Sequence, residues 1–224
     1  VLSGGHGSSL VYSLLHLWGY DVSLDDLKNF RQLGSKTPGH PEYGHTPGVE
    51  VTTGPLGQGF ANAVGFAFAS AYAAHLLNTP TAKVIDHKVY CFCGDGDLEE
   101  GISYEAASLA GHHALSNLVV VYDSNNITIE GEATIALSEN IRGRFESQGW
   151  AVLEIDGHDY MQIEKAFSEA VSGKSGKPTL IIAKTKIAKG SATMEGSHHT
   201  HGAPLGEDEI KASKTAAGFD GESK

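Results

Sequence analysis

The 224-residue chain is 40% hydrophobic and 19% charged, with a formal net charge of −11; this provides for one ordinary globular core and one domain. The acid excess and the scattering of 16 Lys and Arg residues exclude an electrostatic footprint for nucleic acid, so any phosphate ligand would have to be met locally by metal, backbone or histidine. No apolar run is expected to approach a membrane span and no signal peptide opens the chain, which predicts a soluble, cytoplasmic protein.

Val1-Leu2 reads as the end of a strand, followed by the glycine-rich turn Ser3-Gly4-Gly5-His6-Gly7-Ser8 and a helix over 9–17. A histidine in such a turn is either a solvated loop residue or a donor aimed at a phosphate or reacting oxygen. A short helix is predicted over 21–30, capped by Ser23. From 31 to 55 the chain holds four prolines, five glycines and two histidines without apolar periodicity; a loop of that length within a domain is usually functional. Within it, Gly39-His40-Pro41-Glu42 fixes the backbone beside an imidazole. Thr52-Thr53-Gly54-Pro55-Leu56-Gly57-Gln58-Gly59 then leads into an Ala-, Phe- and Gly-rich helix to about Leu77, expected to be buried. A dinucleotide fingerprint fails here, because Asn62 occupies the third glycine position.

The segment 89–129 carries the strongest signal. The strand Val89-Tyr90-Cys91-Phe92-Cys93 ends in Gly94-Asp95-Gly96, a single carboxylate between two residues without Cβ atoms. Its two cysteines, at strand spacing, point to one face and are expected to be buried, reduced thiols. A helix over 98–115 follows, with an apolar stripe at Ile102, Ala106 and Leu109, and its N-terminal N–H groups favour an anion. The strand Leu118-Val119-Val120-Val121-Tyr122 ends in Asp123-Ser124-Asn125-Asn126. Strand, helix and strand make a βαβ unit, so Asp95 and the asparagine pair come to lie side by side at the sheet end where open α/β sheets bind ligands. One carboxylate, one amide oxygen and no lysine suit Mg²⁺ with open positions for phosphate oxygens.

A helix over 139–147, a strand over 151–155, a helix over 161–171 and a strand over 179–183 complete an α/β fold, a mostly parallel sheet with helices on both faces. Gly173-Lys174-Ser175 is not a P-loop, since Ser168 occupies the first glycine position and the segment follows a helix. Ser197-His198-His199-Thr200-His201 has the histidines for zinc but no evident sulfur or carboxylate partners. His112 and His113 lie near a helix C-terminus, where they complement the dipole.

Gly94-Asp95-Gly96, followed about thirty residues later by Asn125, resembles the thiamine-diphosphate-binding motif. Together with Gly39-His40-Pro41-Glu42, the Gly54-Pro55-Leu56 segment and His201-Gly202-Ala203-Pro204-Leu205, it resembles the transketolases over essentially the whole chain. The resemblance implies a thiamine-diphosphate-binding fold in which residues 1–224 form the diphosphate-binding domain, truncated at both ends. It implies a divalent metal (Mg²⁺, or Ca²⁺ or Mn²⁺) on Asp95, Asn125 and the Ile127 carbonyl. Cofactor contacts are implied for His6, Gly54, Pro55, Leu56, Gly94, Gly96, Ile129, Ile187 and His201, and catalytic roles for His40, His201 and His6. Glu100 and Glu105 match acidic residues at a subunit interface. The implied reaction transfers a two-carbon ketol unit from a ketose phosphate to an aldose phosphate in the pentose phosphate pathway. It is carried out by a homodimer whose pyrimidine-binding domain comes from the second subunit, so this chain alone is expected to be inactive. Dihydroxyacetone synthase, deoxyxylulose-phosphate synthase and a non-catalytic cofactor-binding subunit of a split enzyme are the alternatives. Asp97, where the family commonly has a small or neutral residue, is expected to alter metal affinity as an extra carboxylate.

Overall fold

Four strands have apolar runs long enough to be paired as a parallel sheet: β1 (Val89–Gly94), β2 (Leu118–Ser124), β5 (Ala151–Asp156) and β6 (Thr179–Lys184). In the computed structural model, which describes residues 1–222, their order is β1-β2-β6-β5, all parallel. The two central strands are buried over their first five residues, as their uninterrupted Val and Ile runs demand of a sheet covered on both faces. The register aligns Gly94 with Asp123 and Ser124 with Lys184, so the carboxyl ends of three strands meet at one edge. Val1–Leu2–Ser3 runs beside β1 through a parallel bridge between Leu2 and Phe92, with the Ser3 N–H donating to the Phe92 carbonyl at 2.7 Å.

One face of the sheet is covered by α3 (Gln58–Leu77), α5 (Gly101–His112) and α6 (Ile141–Ser147), through Phe60, Ala63, Val64, Ala67, Ala106, Ala107, Ala110 and Phe145. The other is covered by α7 (Tyr160–Ser172), whose Ala166 and Ala170 meet Val119, Val121 and Ile181. Helices therefore lie on both faces, as the alternating pattern requires. Cys91 and Cys93 are free and buried in the first layer, where burial pushes the Cys91 thiol up to about 12. A smaller cluster of Tyr12, Leu15, Val22 and Val49 holds α1 (Ser8–Leu17) and α2 (Leu24–Lys28) under the long 29–57 segment, which contains no helix or strand. Ser23 caps α2 in a reciprocal box with Asp26.

Three expectations need correction. The helix over 98–115 is two helices, α4 (Asp95–Glu99) and α5, separated by extended Glu100 (φ −79°, ψ 136°); Gly96 and Gly101 weaken continuity there. Its buried stripe is Ser103, Ala106, Ala107 and Ala110, while Ile102 and Leu109 are 41% and 46% exposed. Close approach selected small residues: a Cβ on Gly111 would sit 1.7 Å from the Gln148 carbonyl oxygen. Finally, α3 is long and apolar enough to cross a membrane by length and composition, contrary to the expected absence of any such run. It buries only one face, against β1 and α5, and leaves Phe66, Phe68, Tyr72 and Leu76 exposed.

Candidate cofactor and metal site

At the carboxyl end of β1 the chain passes through extended Gly94 and turns at once into α4, so Asp95 is a first-turn residue at the sheet edge. At the end of β2, Asn125 is followed by left-handed Asn126 (φ 63°), a conformation that asparagine tolerates better than most residues. That turn leads into a short hairpin of β3 (Ile127–Thr128) and β4 (Gly131–Glu132). Asp95 spans the two strand ends. Its Oδ1 accepts the Tyr122 hydroxyl at 2.5 Å and its Oδ2 accepts the Asn126 N–H at 3.1 Å. Asn125 Oδ1 accepts the Ile127 N–H at 2.9 Å, and its Nδ2 donates to Asp123 Oδ2 at 3.2 Å. Only 5% of Asp95 is exposed, and burial raises its carboxyl above the usual carboxylate range, partly offset by the Tyr122 and Asn126 bonds.

A buried carboxyl raised by desolvation gains most from a nearby cation. The Asp95 carboxylate keeps lone-pair capacity beyond its bonds from Tyr122 and Asn126, and Asn125 carries an amide oxygen that accepts the Ile127 N–H. Among the described residues no three His, Cys, Asp or Glu side chains converge. An all-oxygen donor set of this kind suits a hard cation that completes its shell from a ligand.

Histidines from three separate segments gather nearby. His6, in the 3-10 turn Gly5–Gly7, stacks on His201, with ring centroids 4.7 Å apart. Desolvation lowers His6 below the usual imidazole value; His201 and His40 lower it further against an opposing pull from Asp97. Desolvation also lowers His201. Both rings are thus mainly neutral at pH 7 and able to donate or accept. Exposed His40 lies beside Gly54, where a Cβ would come within 3.7 Å of its ring. Its loop is tied by the Thr53 N–H donating to the Pro41 carbonyl at 3.2 Å and the Tyr43 N–H to Thr52 Oγ1 at 2.9 Å. Leu56 packs on Gly96, where a Cβ would lie 2.9 Å from its Cδ1. Gly54 is half-buried and Pro55 exposed in the same segment.

The tertiary structure thus brings together Asp95, Asn125 and Ile127 at the strand ends, Leu56 over Gly96, and His6, His40 and His201 with Gly54. Ile187 is half-buried, its carbonyl accepting the Gly196 N–H at 2.9 Å. Ile129, at the hairpin tip, is 70% exposed. Glu100 and Glu105 are exposed, at the N-cap and in the second turn of α5. Tyr122 was missed by sequence reasoning, although strand alternation puts it on the face of Leu118 and Val120, level with Cys93. Asp97, the extra carboxylate of the motif, has both oxygens accepting hydrogen bonds, from Ser3, Gly57 and Gly94.

The loop before His201 is fastened by Glu209 of α8 (Glu207–Ala216), which accepts the Ser191 hydroxyl and, at 2.8 Å each, the Thr193 N–H and hydroxyl. These bonds hold its carboxyl down from 4.5 to about 2. A depressed native value contributes stability that is complete above the unfolded value and is lost as pH falls from 4.5 towards about 2. The Thr193 amide is accordingly expected to be better protected from hydrogen exchange at about pH 6 than at about pH 3. Equal protection factors at the two pH values would show that the carboxylate does not hold this loop.

Comparison with known proteins shows the family and the fold. A family model described as the transketolase thiamine diphosphate binding domain matches residues 1–224. The transketolase of Geobacillus stearothermophilus is 57% identical over 217 residues, 96% of this chain and 32% of that protein. The transketolase of Campylobacter jejuni superimposes with a TM-score of 0.95 at 62% identity, over all of this chain and 34% of that one. A Pichia stipitis transketolase in complex with sedoheptulose 7-phosphate gives 0.97 at 49% identity, over 100% and 33%. The chain spans about a third of the length of these relatives.

Proposed function

The chain belongs to the transketolase thiamine diphosphate-binding domain family, and from that membership we propose that it forms the diphosphate-binding part of a transketolase that moves a two-carbon ketol unit reversibly from a ketose phosphate to an aldose phosphate. The observation that carries the reading is the pairing of buried Asp95 with the Asn125–Asn126 turn at adjacent strand ends. Asp95, Asn125 and the Ile127 carbonyl would hold Mg²⁺ on the cofactor diphosphate. When bound, thiamine diphosphate supplies the nucleophile and electron sink for breaking the C2–C3 bond of the ketose.

The residues of this chain bind, orient and move protons. Neutral His6 and His201, held together by their stacked rings, donate hydrogen bonds towards the diphosphate and the reacting centre. His40, held between Gly39 and Pro41, exchanges a proton with a substrate hydroxyl. Gly54, Pro55, Leu56, Gly94, Gly96, Ile129 and Ile187 line the cofactor. Glu100 and Glu105 face a second subunit, whose pyrimidine-binding domain completes each site of a homodimer. We assign this reaction to the pentose phosphate pathway and the enzyme to the cytoplasm as part of the proposal.

The test is ketol transfer between a ketose phosphate and an aldose phosphate by the assembled enzyme, with and without thiamine diphosphate and Mg²⁺. Transfer that needs both is expected, with the isolated 224-residue chain inactive. Cofactor binding indifferent to chelation of divalent ions would refute the metal assignment, and preference for formaldehyde as acceptor would favour a dihydroxyacetone synthase.

A further inference from the structure

Asp97 is 1% exposed, and its carboxylate meets donors from three segments far apart in sequence. Oδ1 accepts the Ser3 hydroxyl at 2.7 Å and the Gly57 N–H at 2.8 Å, and Oδ2 accepts the Gly94 N–H at 2.9 Å. Only the last of these is the ordinary bond of a third-position residue to its helix N-cap. The Ser3 hydroxyl oxygen also accepts the Phe60 N–H at 2.9 Å, which draws the first turn of α3 into the same cluster. On the far side, the Asp97 carbonyl accepts the Ser103 hydroxyl at 2.6 Å, which ties α4 to α5.

The backbone around the carboxylate is shaped for this contact. Gly57 is left-handed (φ 79°), and a Cβ there would lie 2.8 Å from Glu100 Cβ. A Cβ on Gly59 would come within 2.5 Å of Ser3 Cα, and one on Gly4 would lie 3.3 Å from both Asp97 Oδ2 and His6 Cε1. Side chains at these positions would drive the segments apart. Each tied segment carries candidate ligand groups: Ser3 leads to His6, Gly57 follows Gly54 and Leu56, and Gly94 precedes Asp95.

We infer that Asp97 is a positioning residue for the cofactor site, the single acceptor that sets the His6 turn, the Gly54–Leu56 segment and the Asp95 turn at fixed separations before any ligand arrives. The inference rests on the proposed thiamine diphosphate function. Fixing three loops in advance removes the ordering cost from binding, so loss of the shared acceptor lowers cofactor affinity without touching the cofactor.

Asp97→Asn is the informative variant because it preserves volume while presenting an amide NH₂ to a cluster in which both oxygens now accept from donors. In the assembled enzyme, calorimetric titration of thiamine diphosphate at saturating Mg²⁺ is expected to show Kd raised about 10–100-fold, the range for lost supporting hydrogen bonds around a ligand site. Saturating cofactor restores kcat while the KM for sugar phosphate stays unchanged, and the Gly57 and Phe60 amides of the cofactor-free variant exchange faster. Ser3→Ala, which removes one of the three ties, moves Kd in the same direction by a smaller factor and serves if Asp97→Asn does not fold. If the wild type binds and the folded variants bind equally well, the positioning role is overturned and the cofactor assignment stands. An unchanged Kd in Ser3→Ala beside an unfolded Asp97→Asn also overturns it, leaving Asp97 a stability residue alone. Absence of thiamine diphosphate binding to the wild type overturns the proposed function and the positioning role together.

Discussion

Replacing Asp95 by alanine is expected to weaken Mg²⁺-dependent thiamine diphosphate binding by about 10²–10³-fold and to abolish ketol transfer at ordinary cofactor concentrations. Removing one partner of a buried charged interaction costs about 3–5 kcal/mol, because the other charge is left without compensation. Here the uncompensated charge would be the cation, and Asn125 and Ile127 could offer it only neutral oxygens. The substitution also leaves the buried Tyr122 hydroxyl and the Asn126 N–H without the acceptor they share. The turn that presents Asn125 is thus expected to loosen with the loss of the ligand. Parallel titrations with cofactor and metal on folded, assembled protein provide the measurement. Wild-type affinity in Asp95→Ala, with the same metal dependence, would place the cation elsewhere.

Trp150→Ala is expected to cost about 3–5 kcal/mol of folding stability, the range for emptying a buried large aromatic site. Trp150 is 2% exposed, stacked on Phe60 at 6.1 Å and edge-on to Phe145 at 5.1 Å. Its indole N–H donates to the Ala107 carbonyl at 2.8 Å, so truncation leaves a cavity and removes that tie to α5. Few substitutions reach that size, whereas Tyr160→Ala, at a position 86% exposed, should fall within about 0.5 kcal/mol of wild type. Denaturant midpoints of the two variants make the comparison. Similar midpoints would mean that α3, α5 and α6 do not share one cooperative core.

The parallel sheet was legible because the Leu118–Tyr122 and Leu180–Ala183 runs, without polar interruption, demand cover on both faces, and helical crossovers between successive strands imply parallel pairing. Adjacency of Asp95 and Asn125 followed from the same reasoning, since a single crossover sets β1 beside β2 in register. The α5 stripe was misread for a physical reason. Apolar periodicity weights large side chains, but α5 meets α3 and the Gln148 backbone so closely that only Ala, Ser and Gly fit, and Ile102 and Leu109 turn outwards. The expected burial of α3 failed similarly, because composition does not tell one covered face from two.

Local sequence alone determined the strands, the turn chemistry at Gly94-Asp95-Gly96 and Asn125-Asn126, and the oxygen-rich character of the proposed metal site, because these depend on side-chain type and on spacing within one βαβ unit. Only the tertiary structure decided that His6 stacks on His201 across 194 intervening positions of chain, that Tyr122 holds Asp95, and that Asp97 accepts from Ser3 and Gly57. Those contacts join segments whose separation in sequence carries no periodic signal: strand pairing sets Tyr122 beside the end of β1, and the Leu2–Phe92 bridge sets Ser3 there.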